Sequence, residues 1–287
     1  VPIETVSDNP QPQEVIMKRS LHIGINDYPG TGNDLSGCVN DANDWEAALA
    51  ARDFQTNTLL DAQATKSQMI EAITGLVDST GRDDIGVITY SGHGTWVPDE
   101  DDDEADGRDE ALCPHDIDQG LILTDDELYD IFSQRKRGAR IIFISDSCHS
   151  GTVSKASTFN FEGRERSVQV PRIRFLAPEI FLKNDREKMA RALKVEDKKP
   201  NGKIKAASLL LSGCKDDEYS YDAWFNGRAN GAFTYVALQA LKELKADASY
   251  KKWHKAIRKT LPHVQYPQTP QLKGSKRQKT KWVVFRE

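Results

Sequence analysis

Nowhere in the 287 residues does an apolar run approach the roughly 20 residues that a helix needs to span a bilayer, so a membrane is not an expected partner. A large excess of either charge is lacking too. The net charge is −5, from 39 Lys and Arg against 44 Asp and Glu, which gives no footing to nucleic acid as a general partner. Cysteine is sparse and scattered. Cys38, Cys113, Cys148 and Cys214 make neither a C-x-x-C pair nor a short disulfide ladder, which points to reduced thiols in a cytoplasmic protein. No internal repeat is present. The chain opens Val1-Pro2 rather than with Met, which leaves room for an upstream targeting segment. What is there suffices for a real core and a solvated surface: hydrophobic residues make up 38% and charged residues 29%.

Residues 1–18 read as a loose leader and 19–287 as a single domain, expected to be a monomer. Within it, "RSLHIGIN", "TNTLLD", "DIGVITY", "ARIIFIS" and "AASLLLS" read as strands, and "KWVVF" as a closing strand. Helical spacing runs through "CVNDANDWEAALAARDF", "GAFTYVALQALKEL" and "YKKWHKAIRKTL". Thr65 to Gln68 and Thr124 to Glu127 are capping boxes that open two more helices. Strands alternating with helices predict an α/β fold, a mostly parallel central sheet with helices on both faces. In such sheets sites gather at the carboxyl ends of the strands. Two strands end in chemistry: "DIGVITY" runs into Ser91-Gly92-His93-Gly94, and "ARIIFIS" into Asp146-Ser147-Cys148.

A thiol is a poor nucleophile until it loses its proton, and a nearby His can take that proton and return it to a leaving amine. His93 and Cys148 are candidates for that pair, separated by about the 50-residue interval seen in caspases. A turn-bound His and an inert buried thiol are the bland alternatives. His149 is a poorer base, because adjacent side chains diverge. Hydrolysing an amide builds negative charge on the carbonyl oxygen, and the N–H groups of Gly94 and Cys148 are the oxyanion-hole candidates.

Taken together, "YSGHG", "DSCHSG", "GINDYPGTGNDLSGCVNDA", "DEADGRDEALCPHD", "LTDDEL" and "SGCKDDEYSYDAW…GAFTY" resemble the metacaspases, caspase-like cysteine peptidases, from about Leu21 to Gln271. The resemblance implies a caspase-like fold and an endopeptidase that acts on peptides and proteins with Arg or Lys at the cut. It implies a specificity pocket from Cys38, Asp41, Ser91 and Asp146. Paired carboxylates suit a guanidinium fork, which agrees. Asp222 and Trp224 of "DEYSYDAW" are expected to wall the cleft, with a core Trp as the alternative.

The resemblance also implies activation by calcium, held by Asp109, Asp125 and Asp126, which hard-cation chemistry permits. The acid-rich stretch is not an EF-hand, since the loop's closing Glu falls on Cys113. Lys155 stands where the family offers a fourth carboxylate. A basic insert, 152–205, separates a large portion (19–151) from a small one (206–287). With Arg164, Arg166, Arg172 and Arg174, it is expected to reach the acidic pocket and to be a site of self-cleavage; a plain surface insert is the alternative. Two rival classes remain at this stage: a silent caspase-like module that binds basic peptides, and a calcium-sensing scaffold.

Overall fold

The computed structural model describes residues 15–98, 107–148, 171–192 and 207–286. Its centre is a six-stranded sheet. In chain order its strands are β1 (Lys18–Gly24), β2 (Gln55–Leu60), β3 (Ile85–Ser91), β7 (Arg140–Asp146), β9 (Leu209–Ser212) and β12 (Gln271–Lys273). Their spatial order is β12-β9-β7-β3-β1-β2, and every pairing is parallel except β12 on β9. Strand β3 is buried along its whole length and β7 at all but its first residue, as continuous apolar runs between two helical layers require.

The helices cover both faces. On one face α2 (Lys66–Ser79) contributes Met69, Ile73 and Leu76, and α3 (Asp125–Ser133) contributes Leu128 and Phe132. On the other lie α1 (Cys38–Ala50), α6 (Ala232–Lys242) and α7 (Tyr250–Ile257), with Trp45, Phe233 and Trp253 in the core. The strands supply the two cores alternately: Ile141 and Phe143 on the first, Ile142 and Ile144 on the second. The Thr124 box forms both of its bonds, and the Thr65 hydroxyl accepts the N–H of Gln68.

Two small antiparallel sheets sit at the rim. One joins β4 (Gly94–Pro98), β5 (Arg108–Leu112) and β6 (Leu123–Thr124). The other joins β8 (Arg172–Ile173), β10 (Tyr221–Phe225) and β11 (Arg228–Gly231). Strand β8 belongs to the basic insert, so its described part, 171–192, is no loose loop. Two short helices form there, α4 (Pro178–Phe181) and α5 (Arg186–Ala192), and the Asp185 carboxylate accepts the N–H of Lys188 to start the second. Phe175, Leu176, Phe181 and Leu182 of this segment are buried.

The closing strand expected at "KWVVF" does not form. After α8 (Lys276–Lys281) the chain makes one isolated bridge, Ser249 with Val283, and turns inward. Phe285 adopts φ +55° and enters a ring cluster with Trp45, Phe54, Tyr250 and Trp253 at centroid distances of 5.5–6.3 Å. Burying that ring outweighs continuing a ladder.

The second core also holds a polar ladder. His22 on β1 is buried, with Nδ1 2.9 Å from the Thr89 hydroxyl and Nε2 2.9 Å from that of Ser20. Burial lowers its pKa to about 3. An unfolded imidazole takes a proton near 6.5, so between that pH and about 3 the unfolded state binds the extra proton and acid removes stability. Stability should therefore fall by on the order of 3 kcal/mol from this residue between pH 6.5 and 4. Urea titrations of wild type and His22→Gln across that range check it; equal pH slopes would contradict it.

Candidate active site

The carboxyl ends of β3 and β7 stand side by side, with Ser91 opposite Asp146 in register. The chain beyond β3 is held by two buried phenols. The His93 N–H donates to the Tyr28 hydroxyl (2.7 Å), and the Tyr90 hydroxyl lies 2.6 Å from the His93 carbonyl and 2.9 Å from that of Cys113. Gly92 is needed here, since a Cβ would stand 2.5 Å from both hydroxyls.

His93 Nε2 lies 2.6 Å from the carbonyl of Asn33. A carbonyl only accepts, so the proton is on Nε2 and Nδ1 carries the lone pair. Nδ1 is buried and has no hydrogen-bond partner among the described residues. Burial lowers the His93 pKa to about 4, against an opposing push from the Asn33 bond. At neutral pH the ring is therefore uncharged and able to accept a proton.

Cys148 is buried two residues beyond β7. Its sulfur receives the N–H of Ser220 and lies 3.4 Å from that residue's carbonyl. The two expected oxyanion donors converge on one atom. The N–H of Gly94 and the N–H of Cys148 both donate to the carbonyl oxygen of Arg174, at 3.0 and 3.1 Å. The chain is fixed on both sides of that carbonyl. Arg174 N–H donates to Ser220 O (3.0 Å), while Leu176 N–H donates to Gly94 O (3.0 Å) and Phe175 bridges to Gly94 as in a parallel strand.

The Arg174 side chain fills the acidic pocket and is wholly buried. Its guanidinium reaches Asp41 at 2.7 Å, Asp222 at 3.0 Å and Asp146 at 3.2 Å, and also donates to the carbonyl of Asp146 at 3.1 Å. Burial alone would lower its pKa, but Cys38, Asp146, Asp41 and Asp222 together raise it. Burial pushes Asp41 up to about 7 against the pull of Arg174.

Each carboxylate is itself held. Asp41, in the first turn of α1, accepts from Asn230 Nδ2 (2.9 Å) and Gly231 N–H (3.0 Å). Asp146 accepts from the N–H and hydroxyl of Thr234 (2.9 and 2.7 Å) and from the Ser220 hydroxyl. Asp222 accepts from the N–H groups of Ser36 (2.8 Å) and Gly37 (3.0 Å).

Asp41, Asp146 and Asp222 are thus brought together, and Gly94 and Cys148 with them. Cys38 is fully buried beside them, its thiol pKa pushed up by burial. Ser91 is buried next to Asp146, but among the described residues it makes no hydrogen bond to the guanidinium, and its carbonyl accepts Ile25 N–H instead. Trp224 is half-buried on β10, two residues beyond Asp222. Sequence reasoning missed Asn33, Ser220 and Gly231. The first two act largely through backbone atoms that any residue type supplies. Gly231 has a steric reason: a Cβ there would lie 2.5 Å from the Arg174 guanidinium.

Asp109 lies on β5, and Asp125 and Asp126 open α3. Among the described residues no group of three His, Cys, Asp or Glu side chains could hold a metal ion. Lys155 and His149, as well as residues 99–106, lie outside the described residues.

A family model described as caspase domain matches residues 17–281. Metacaspase-1 of Scheffersomyces stipitis is 31% identical, over 90% of this chain and 70% of that protein. The chain spans 62–69% of the length of several other metacaspases that it resembles. Among solved structures, protein GSU0716 from Geobacter sulfurreducens superposes with a TM-score of 0.68 at 33% identity, over 92% of this chain and 97% of that one. Caspase-1 from Spodoptera frugiperda superposes with a TM-score of 0.54 over 90% of this chain and 87% of that one; at 12% identity it speaks for the fold alone. Sheet, rim and relatives agree: the chain belongs to the caspase domain family of cysteine endopeptidases, on its metacaspase branch.

Proposed function

We propose that this chain cuts peptide bonds after Arg or Lys, with Cys148 as nucleophile and His93 as general base and acid, and that its own Arg174–Phe175 bond is its first substrate. The pose of Arg174 carries the reading. Its side chain meets three carboxylates while its carbonyl oxygen accepts both oxyanion-hole N–H groups. This is how a substrate residue preceding a scissile bond would bind.

In this reading the Cys148 thiol gives its proton to His93 Nδ1 and its sulfur attacks the carbonyl carbon of residue 174. The oxyanion is stabilised by Gly94 and Cys148 N–H groups, worth about 100-fold or more in rate for each donor. The C–N bond to Phe175 then breaks, and His93 returns the proton to the Phe175 amine. Water, activated by the same ring, hydrolyses the thioester, leaving a carboxylate on residue 174 and a free thiol on Cys148. The cut chain end can then leave the pocket, which opens to other peptides. A silent peptide-binding module has less support, since it has no need of an uncharged His with a lone pair beside two aligned N–H donors. No step above needs calcium; activation by calcium through Asp109, Asp125 and Asp126 is a separate part of the proposal, which the calcium arms of the assay below test.

A fluorogenic peptide series tests the reading, run with and without calcium. Arg peptides should turn over fastest, because a planar guanidinium can fork between carboxylates. Lys peptides should follow, and Asp peptides should be at least about 1,000-fold slower, since a like charge facing these carboxylates costs several kcal/mol. Efficient cutting after Asp would rule out the acidic pocket as the specificity site.

A further inference from the structure

Strands β7 and β9 run parallel, with Ser145 opposite Ser212, and leave the sheet together through a bond from Gly213 N–H to Ser145 O (2.9 Å). That register carries a second thiol to the nucleophile's side. Cys214 is buried, and its sulfur lies 3.5 Å from the carbonyl of Ser147, the residue before Cys148; the nearby Cys148 thiol raises the pKa of the Cys214 thiol. Continued past the strand ends, that register sets Cys214 opposite Ser147, one residue from Cys148. Both cysteines are free. The peptidase chemistry proposed above has no use for Cys214. Cys214 lines a cavity of about 110 Å³ together with Ser147, Tyr129 and Lys215; the cavity reaches the residue before Cys148 but is not lined by Cys148 itself.

We propose that Cys214 is a resolving cysteine, and that hydrogen peroxide converts Cys148 and Cys214 into a reversible disulfide that switches the peptidase off. The inference rests on the reading of Cys148 as a reactive thiol. In the first step the Cys148 sulfur, its proton taken by His93, attacks one peroxide oxygen. The O–O bond breaks, and the second oxygen leaves as water with that proton, so Cys148 becomes a sulfenic acid. In the second step the Cys214 sulfur attacks the Cys148 sulfur. The S–O bond breaks, and hydroxide leaves as water with the Cys214 proton. A dithiol reductant restores both thiols by exchange and is itself oxidised. Without Cys214 the sulfenic acid has no adjacent thiol, and further peroxide carries it to the irreversible sulfinic and sulfonic acids.

Both events occur at one sulfur, so oxidation and peptide cleavage exclude each other. The Cys214 thiol is a weak acid here, its pKa raised by the nearby Cys148 thiol and by burial, so it does not compete for the peroxide. The order of reaction follows: Cys148 first, Cys214 second.

The test uses the full chain. Treat it with graded hydrogen peroxide, block free thiols, digest without reductant and map the peptides by mass spectrometry. A Cys148–Cys214 linked pair is expected, with Arg-peptide turnover lost in step and recovered by dithiothreitol. Cys214→Ala should yield no linked pair, and its Cys148 should reach the sulfinic state at least tenfold faster. Absence of the linked pair from oxidised wild type overturns the proposal whether or not the variant folds. Turnover under reductant is measured first, so the two readings fail separately. A turning-over enzyme that never links loses only the disulfide, and a linking protein that never cuts loses only the peptidase assignment.

Discussion

Cys148→Ala should lower turnover of Arg peptides by at least about 1,000-fold, because losing a covalent nucleophile removes several orders of magnitude of rate. The fold should survive. Alanine is smaller than cysteine, and the substitution leaves the backbone in place, so the N–H of residue 148 can still donate to Arg174 O and the guanidinium still has its three carboxylates. The variant should therefore be an intact, docked chain with a melting temperature within a few degrees of wild type. Turnover within tenfold of wild type would refute the assignment of the nucleophile.

Asp146→Asn should cost almost as much, and in a way that separates binding from chemistry. Asparagine keeps the shape and one acceptor oxygen, which can still serve Thr234, turns an NH2 donor toward the Ser220 hydroxyl, and removes the charge facing Arg174. Breaking one partner of a buried ion pair costs about 3–5 kcal/mol, or a fall of roughly 100- to 4,000-fold in kcat/KM for Arg peptides at about 1.4 kcal/mol per tenfold. Peptides with an uncharged residue before the cut should lose far less. An equal loss for charged and uncharged peptides would mean that Asp146 supports the nucleophile rather than the specificity pocket.

The polar residues at two strand ends made much of this site legible in sequence. Continuous apolar runs such as "DIGVITY" and "ARIIFIS" can only be buried strands, and polar residues just past them must line a rim. Asp41 and Asp146 could be named as pocket acids because the resemblance to the metacaspases implies them and paired carboxylates suit a guanidinium, whereas Asp222 was expected only to wall the cleft. What could not be read is which cation. Arg174 is one of 39 Lys and Arg residues. Its selection depends on β8 pairing with β10 and on Phe175 bridging to Gly94, contacts between segments far apart in the chain. The roles of Asn33 and Ser220 were hidden for a different reason: their carbonyl and N–H groups act, and every residue has those. "KWVVF" misled because β-branched and aromatic residues suit a strand and a core equally, and the ring cluster around Phe285 decided the matter.

The position of Arg174 yields the most direct measurement. Purified wild type and Cys148→Ala are incubated side by side and followed by intact mass and N-terminal sequencing. Wild type should acquire a new end beginning at Phe175, matched in time with the rise of Arg-peptide activity, and Cys148→Ala should stay whole. A fully active wild-type enzyme whose Arg174–Phe175 bond remains intact would contradict the claim that the chain holds its own first substrate.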